Sequence, residues 1–295
     1  MKQTIIETKK LTKYYGKILG VKNLDLEIKE GEIFGFLGPN GAGKTTTIRC
    51  MMNFVKPSSG TCTILGMDSR KHSAEIKKEV GYLAGEVNLY SKLTGQEHIN
   101  YIQGFRGKAP LAKDLIKRLK FDPKIKAKNL SKGNKQKLAL ILSLMHKPKV
   151  IFMDEPTSGL DPILQNEIYE VLDDMESKGT TIFFSSHIIS EVERIADRVG
   201  IIKDGKLSRI ETIEGLANKK MRNIEIRFRG KYSLADFKFP EIKRLEKNDE
   251  GLTLSYIGDI NPLLKRLALY NIADLKISHA SLEDVFLEFY NSDEK

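Results

Sequence analysis

Cysteine is scarce in this 295-residue chain, with Cys50 and Cys62 the only two. Two thiols cannot staple a disulfide scaffold, and their surroundings, IRCMMN and GTCTIL, lack the paired spacing of a metal site. Both read as buried thiols of a reducing cytoplasm. No run of about 18 uncharged apolar residues occurs, and the N-terminal stretch MKQTIIETKK has no apolar signal core, so the chain itself is not expected to cross a membrane. Repeats, low-complexity tracts and long polar tails beyond NSDEK are missing too. What remains is an ordinary globular composition, with 40% apolar residues, enough for one large domain or a medium one with a small companion.

Negative charge is the minority sign: 39 acidic residues face 49 basic ones, a net charge of +10. From residue 216 onward, 14 basic residues meet 13 acidic ones, so +9 of the excess belongs to the first 215. Such a bias suits nucleotide phosphates, nucleic acid or an anionic membrane surface alike. Lysines crowd the stretch KDLIKRLKFDPKIKAKNLSKGNKQK, which reads first as a solvated helical face and second as a contact for inner-leaflet phospholipid or an acidic partner loop. No interleaved aromatic pattern supports single-strand nucleic-acid binding there, and no nucleic-acid partner is expected.

Two kinds of strand pattern open the chain. TIIET at 4 to 8 and LDLEI at 24 to 28 alternate apolar and polar residues, as an antiparallel sheet with one wet face requires, while IFGFLG at 33 to 38 is apolar throughout, as a buried parallel strand is. A helix is expected from TTTIRCMMNF until Lys56 and Pro57, before SSG turns the chain into TCTIL. From about Leu93 to Met145 the pattern is helical: Thr94 and Glu97 form a capping box, and LAKDLIKRL is amphipathic. KVIFMDE and TTIFFSSH return to buried parallel strands, separated by the helix ILQNEIYEVLDDMESKG, which Gly179 ends. VGIIKDGKLSRI reads as a hairpin turning on Asp204 and Gly205.

These patterns predict an α/β domain over residues 1–215, with an antiparallel β subdomain and a helical subdomain at about 93–145, followed by an accessory α+β domain over 216–295. In the latter, NIEIRFR is a strand and SLADFKF a short helical turn. IKRLEKN and LTLSYI pair through Asp249, Glu250 and Gly251, and NPLLKRLALY is a helix before the strand ADLKISH. That order fits a small ferredoxin-like sandwich, with a last helix SLEDVFLEFY capped by Ser281 and carrying Asp284 three residues on.

The chemistry-bearing segment is GPNGAGKT at 38 to 45, placed between a buried strand and a helix. Its glycines let backbone N–H groups turn inward onto phosphates, and the helix that follows adds favourable potential for negative charge. Gly38, Pro39, Asn40, Gly41, Ala42, Gly43 and Thr46 are therefore expected around a nucleotide, with Lys44 on the β- and γ-phosphates and the Thr45 hydroxyl on Mg²⁺. VIFMDE then puts Asp154 and Glu155 at the carboxyl end of a buried strand, where open parallel sheets bind ligands. Asp154 suits Mg²⁺, directly or through water, and Glu155 is free to polarise an attacking water as a general base.

The ordered series GPNGAGKT, LSKGNKQK, VIFMDEP, SGLD and SSH resembles the nucleotide-binding domain of ABC transporters over roughly residues 4 to 215. The resemblance implies a P-loop NTPase fold of ABC type, ATP and Mg²⁺ as ligands, and two copies stacked head to tail, each nucleotide held between the loop of one and the signature segment of the other. Position by position it implies that Ser131 and Gly133 contact the γ-phosphate across the dimer, that Asp161 lies at the dimer seam, that His187 senses or orients the γ-phosphate and that Tyr15 stacks on adenine. It also implies a separate membrane-spanning permease subunit, with this chain peripheral on the cytoplasmic face of the membrane. LSKGNKQK, GEVNLY and LEDVFLEFY look like the branch of exporters handling antibiotics, bacteriocins, lipids or polysaccharides.

Two segments depart from the family pattern. Lys132 and Asn134 replace the usual Gly and Gln of the signature, while Ser131 and Gly133, the two a phosphate contact needs, remain. In GYLAGEVNLY the metal-contacting Gln of the family aligns with Gly85; Glu86 beside it either ligates Mg²⁺ in its place or belongs to a segment that meets a membrane partner. A soluble ABC ATPase acting on ribosomes or DNA is the rival reading. It would carry a second nucleotide domain or a long coiled coil, and one GPNGAGKT and no sustained heptads are present. A non-hydrolysing binder would lack Glu155 or His187. The accessory domain is expected to support the dimer, or else to regulate hydrolysis or fix the partner.

Overall fold

The computed structural model describes residues 2–217, 221–237, 239–248 and 251–279, and the chain divides into two compact units, residues 1–211 and 212–295. The expected helix at 281 to 290 and the turn residues Asp249 and Glu250 lie outside the described residues. In chain order the first unit opens with β1 (Thr4–Tyr15), β2 (Ile18–Lys29), β3 (Ile33–Leu37), α1 (Lys44–Met51), β4 (Ser59–Ile64), β5 (Met67–Asp68), α2 (Ser73–Glu79) and β6 (Val80–Leu83). Three helices follow, α3 (Gly95–Arg106), α4 (Ala112–Arg118) and α5 (Lys132–Leu144), within the stretch expected to be helical. The unit closes with β7 (Val150–Asp154), α6 (Pro162–Ser177), β8 (Thr181–Ser186), α7 (Ile189–Ile195), β9 (Arg198–Lys203) and β10 (Lys206–Thr212).

Two sheets share this unit. An antiparallel sheet has the order β2-β1-β4-β5, and a six-stranded sheet has the order β10-β9-β3-β8-β7-β6. Within the second, β3 runs parallel to β8 and β9, and β7 parallel to β6 and β8. Every residue of β3, β7 and β8 is buried, as uninterrupted apolar strands covered on both faces must be. Phe183 sits at the centre of that core, its ring centroid 5.9 Å from Phe34, 5.4 Å from Phe36 and 5.7 Å from Phe152. The register sets Leu37 opposite Ser186 and Asp154 opposite Ser185. Three parallel strands therefore deliver their carboxyl ends, and the segments that follow them, to one edge of the sheet.

Several elements differ in extent from their sequence patterns, for local reasons. β1 and β2 are each twelve residues rather than five, because Lys10 and Asn23 adopt φ of +49° and +48° and the pairing shifts register around Leu11, which breaks the period-two alternation. α1 stops at Met51, well before Lys56, because Asn53 takes a left-handed φ of +53° and Phe54 N–H donates back to the Arg49 carbonyl. The other punctuation is as expected: Thr94 and Glu97 form a reciprocal capping box, Gly179 ends α6 with φ +90°, and Asp204 and Gly205 turn the β9–β10 hairpin with positive φ.

The second unit contains α8 (Ile213–Ala217), β11 (Met221–Phe228), a 3₁₀ turn at Leu234–Phe237, β12 (Ile242–Asn248), β13 (Gly251–Ile257), α9 (Asn261–Leu267) and β14 (Ile272–His279). Its boundary falls before Thr212 rather than Leu216. The sheet order β12-β13-β11-β14, antiparallel throughout, is the ferredoxin-like order, with a four-residue turn where the first helix of that motif stands. Ile224, Ile226, Phe237, Leu252, Leu254, Tyr256, Leu263 and Leu267 give it a core of its own.

A partly buried polar contact ties the helical stretch to the sheet. Arg106 of α3 donates to the carbonyls of Lys77 and Val80 and lies 2.7 Å from His146 Nε2. Guanidinium only donates, so that ring nitrogen presents its lone pair. Burial, reinforced by the Arg106 charge, pushes the His146 pKa down to about 4 from 6.5. A histidine depressed in the folded state contributes stability that is present above about pH 6.5 and drains away as pH falls toward about 4. Thermal melts between pH 7 and pH 4 should therefore show an acid-side loss of Tm that is shallower in His146→Gln; an unchanged slope would separate this residue from the acid limb.

Candidate active site

The loop between β3 and α1 is shaped by positions that tolerate no side chain. Gly43 has φ +106°, and a Cβ there would lie 2.3 Å from the Gly20 carbonyl oxygen of β2. Lys44, the first residue of α1, is 5% exposed; its ammonium donates to the carbonyls of Gly38 (2.7 Å) and Pro39 (3.1 Å) and lies 3.3 Å from Glu155 Oε1. A cation so buried is tolerable because three oxygens surround it. Tyr15, Asn40, Gly41, Lys44, Thr45, Thr46 and Glu155 line one pocket of about 310 Å³. Ile18, Leu19 and Gly20 line it too, and sequence reading missed all three because they lie in an unremarkable strand. Tyr15, 42% exposed, carries the Lys13 ammonium 5.0 Å from its ring centre, a cation–π contact that steadies the ring at the pocket mouth.

Asp154 ends β7 with its carboxylate buried, and Ser185 Oγ donates to Oδ1 at 2.6 Å. Glu155 follows at φ +50°, in the left-handed region that costs a non-glycine residue about 1 kcal/mol. Its N–H is anchored at 3.1 Å to both the carbonyl and the hydroxyl oxygen of Ser185, so the adjacent strand holds the strained turn in place. That turn aims the carboxylate into the pocket, with Oε1 toward Lys44 and Oε2 at 3.2 Å from His187 Nδ1. Lys44, Glu155 and His187 thus converge although 143 positions separate the first from the last.

The loop after β6 runs close to this pair. A Cβ on Gly85 would meet the Asp154 carbonyl oxygen at 3.0 Å, tighter than most side chains show, so the Gln of the family pattern would need the neighbouring backbone to shift by a few tenths of an ångström. Glu86 beside it is exposed. On neighbouring β6, burial and the Asp154 charge push the Tyr82 hydroxyl pKa up.

Ser131, Gly133 and Asp161 lie elsewhere. Together with Lys137, Ile163 and Glu167 they line a second pocket of about 240 Å³ that shares no residue with the first. Ser131 Oγ caps α5 by accepting from Asn134 N–H at 3.3 Å, and Asp161 caps α6 by accepting from Leu164 N–H at 3.0 Å. Ile163 beside them is 74% exposed. Lys132 stands out from the first turn of α5 and folds over Gly159.

Glu191 is the further residue that sequence reading missed. It is 3% exposed on α7 and accepts hydrogen bonds from the hydroxyls of Thr157 and Ser186. Burial raises its carboxyl pKa, and the two hydroxyl bonds oppose that rise. Nothing in ISEVERI distinguishes this carboxylate from its exposed neighbour Glu193; the burial pattern alone reveals it.

A parallel sheet whose strand ends present a glycine-rich loop, a buried lysine and paired carboxylates defines a P-loop nucleoside triphosphatase. The family model described as ABC transporter matches residues 21–158, and relatives align along nearly the whole chain. The chain belongs to the ATP-binding proteins of ABC transporters, ATPases that bind and hydrolyse ATP. It is 36% identical over 296 residues to the "Bacitracin transport ATP-binding protein BcrA" of Bacillus licheniformis, covering 97% of each chain. To the "Probable multidrug ABC transporter ATP-binding protein YbhF" of Escherichia coli it is 39% identical over 212 residues, 70% of this chain but only 36% of that longer relative. Among solved structures it is similar to a dimeric, post-hydrolysis ATP-binding cassette bound to ADP and Pi, with TM-score 0.66, 26% identity and coverage of 71% of this chain and 99% of that one.

Lys44 is the buried cation of the first pocket. Lys44→Ala should weaken ATP binding by at least about tenfold, the worth of one charge-assisted hydrogen bond. Titration with a fluorescent ATP analogue checks this, and an unchanged Kd would remove Lys44 from phosphate recognition.

Proposed function

We propose that the chain is the motor of an exporter, working as a head-to-tail pair with a separate membrane-spanning subunit and hydrolysing ATP through water activated by Glu155. The observation that carries this reading is the separation of the two pockets: Lys44, Glu155 and the loop line one, Ser131, Gly133 and Asp161 line the other, and they have no residue in common. On this reading, a second copy brings Ser131 and Gly133 to a nucleotide held in the first pocket. The exposed Ile163 beside Asp161 suits a surface that such a copy covers.

In the assembled site Tyr15 stacks on adenine, the loop N–H groups and Lys44 hold the phosphates, and Ser131 and Gly133 of the second copy close over the γ-phosphate. The Thr45 hydroxyl and the Asp154 carboxylate, fixed by Ser185, offer oxygen donors for Mg²⁺. Among the described residues no cluster of three His, Cys, Asp or Glu is able to hold a metal alone, and a hard cation that takes most of its ligands from phosphate and water needs none. Bound there, Mg²⁺ would neutralise phosphate charge. Exposed Glu86 either adds a donor or belongs to the face that meets the membrane partner. Phosphate arriving at Lys44 offers its ammonium a new anion, and Glu155, oriented by His187, is then free to accept a proton from water.

Names of relatives support export: bacitracin transport in Bacillus licheniformis and Enterococcus faecalis, and linearmycin resistance in Bacillus subtilis. No helix among the described residues is long and apolar enough to cross a membrane; the separate spanning subunit and the peripheral station on the cytoplasmic face rest on the likeness to ABC transporter ATP-binding proteins.

Glu155→Gln should bind ATP with near-normal affinity, lose at least about 100-fold in turnover, and accumulate as an ATP-bound dimer. Phosphate release and light scattering in ATP check both halves, and wild-type turnover in this variant would remove Glu155 from the role of base.

A further inference from the structure

The Glu155–His187 pair is built from two segments distant in sequence, the turn after β7 and the end of β8. Between them lies Glu191, whose Oε1 accepts from Thr157 Oγ1, two residues after Glu155, and whose Oε2 accepts from Ser186 Oγ, one residue before His187. Thr157 and Ser186 are each 1% exposed. Ser186 is fixed further by accepting from the Ile188 N–H at 2.9 Å. The inward positions of α7 are otherwise apolar, Val192 and Ile195, and a carboxyl group among them carries a desolvation cost that leucine would avoid. Its two oxygens are each occupied by a hydroxyl from a different catalytic segment.

We propose that Glu191 is a positioning residue for ATP hydrolysis: it clamps the turn carrying Glu155 to the strand end carrying His187 and so sets their 3.2 Å contact. The inference rests on the reading of Glu155 as base. Glu191 is not among the residues that line the loop pocket, so its loss moves the base without emptying the pocket. Misplacement of a catalytic group by about 1 Å costs on the order of 100-fold in rate. Threonine and serine hydroxyls accept as well as donate, so a glutamine amide is able to keep both bridges.

The test compares Glu191→Gln with Glu191→Leu in the full-length chain, by steady-state ATPase kinetics and nucleotide titration. The expected result is a Gln variant within about threefold of the parent and a Leu variant down by on the order of 100-fold in kcat, with KM and the Kd for ATP unchanged within about twofold. Wild-type kcat in the Leu variant overturns the proposal, as does a loss shared equally by nucleotide affinity that Gln does not rescue. Should Leu prevent folding, Thr157→Val and Ser186→Ala replace it; native Tm with unchanged kcat in both would equally overturn it. Glu155→Gln keeps the two ideas apart. If that variant turns over normally, the assignment of the base fails; if it is inactive while the Glu191 set is unaffected, only the clamp fails.

Discussion

The Lys44 ammonium is the point on which the site depends. It is almost wholly withdrawn from water, bonded to two carbonyls of its own loop and set against the carboxylate of Glu155. Such a charge is stable only where oxygens converge on it, and convergence demands that the glycine-rich loop close tightly and that β7 end at the right height beside β3 and β8. The steric demands follow from this. Gly43 accepts no Cβ because the Gly20 carbonyl fills that space, and Glu155 carries positive φ because its N–H is committed to Ser185. On the proposed reading, the arriving phosphate competes for this cation, which couples nucleotide binding to the freeing of the base.

Much of this was legible in the sequence because it lives in local pattern. IFGFLG, VIFMDE and TTIFFSSH announce buried parallel strands by their unbroken apolarity, and GPNGAGKT between a strand and a helix announces the loop. Thr94 with Glu97 and Asp204 with Gly205 mark a helix start and a hairpin through side-chain and backbone chemistry that acts within a few residues. What escaped depends on distance or on irregularity. Lys10 and Asn23 interrupt the alternation of β1 and β2 with left-handed backbone, so half of each strand was hidden. Glu191 reads as one more charge on a surface helix until Thr157 and Ser186, 34 and five positions away, are brought to it. Gly85 looks like a lost ligand in sequence and is a close backbone approach in space.

On the proposed reading, the chain carries two partial sites rather than one whole one. The glycine-rich loop and the capped helix start that carries Ser131 and Gly133 line different pockets of the same unit. The altered signature retains those two residues, and Lys132 between them folds over Gly159 instead of filling the pocket. The second unit has its own core and a ferredoxin-like sheet.

The central claim is that each ATP site is shared between two copies. The most direct measurement mixes two chains that are each inactive, one Lys44→Ala and the other Ser131→Arg, and follows phosphate release. A head-to-tail pair assembles one intact site from Lys44 of one chain and Ser131 of the other, so the mixture should recover ATPase activity that neither component has alone. A mixture as inactive as its parts would contradict the shared site.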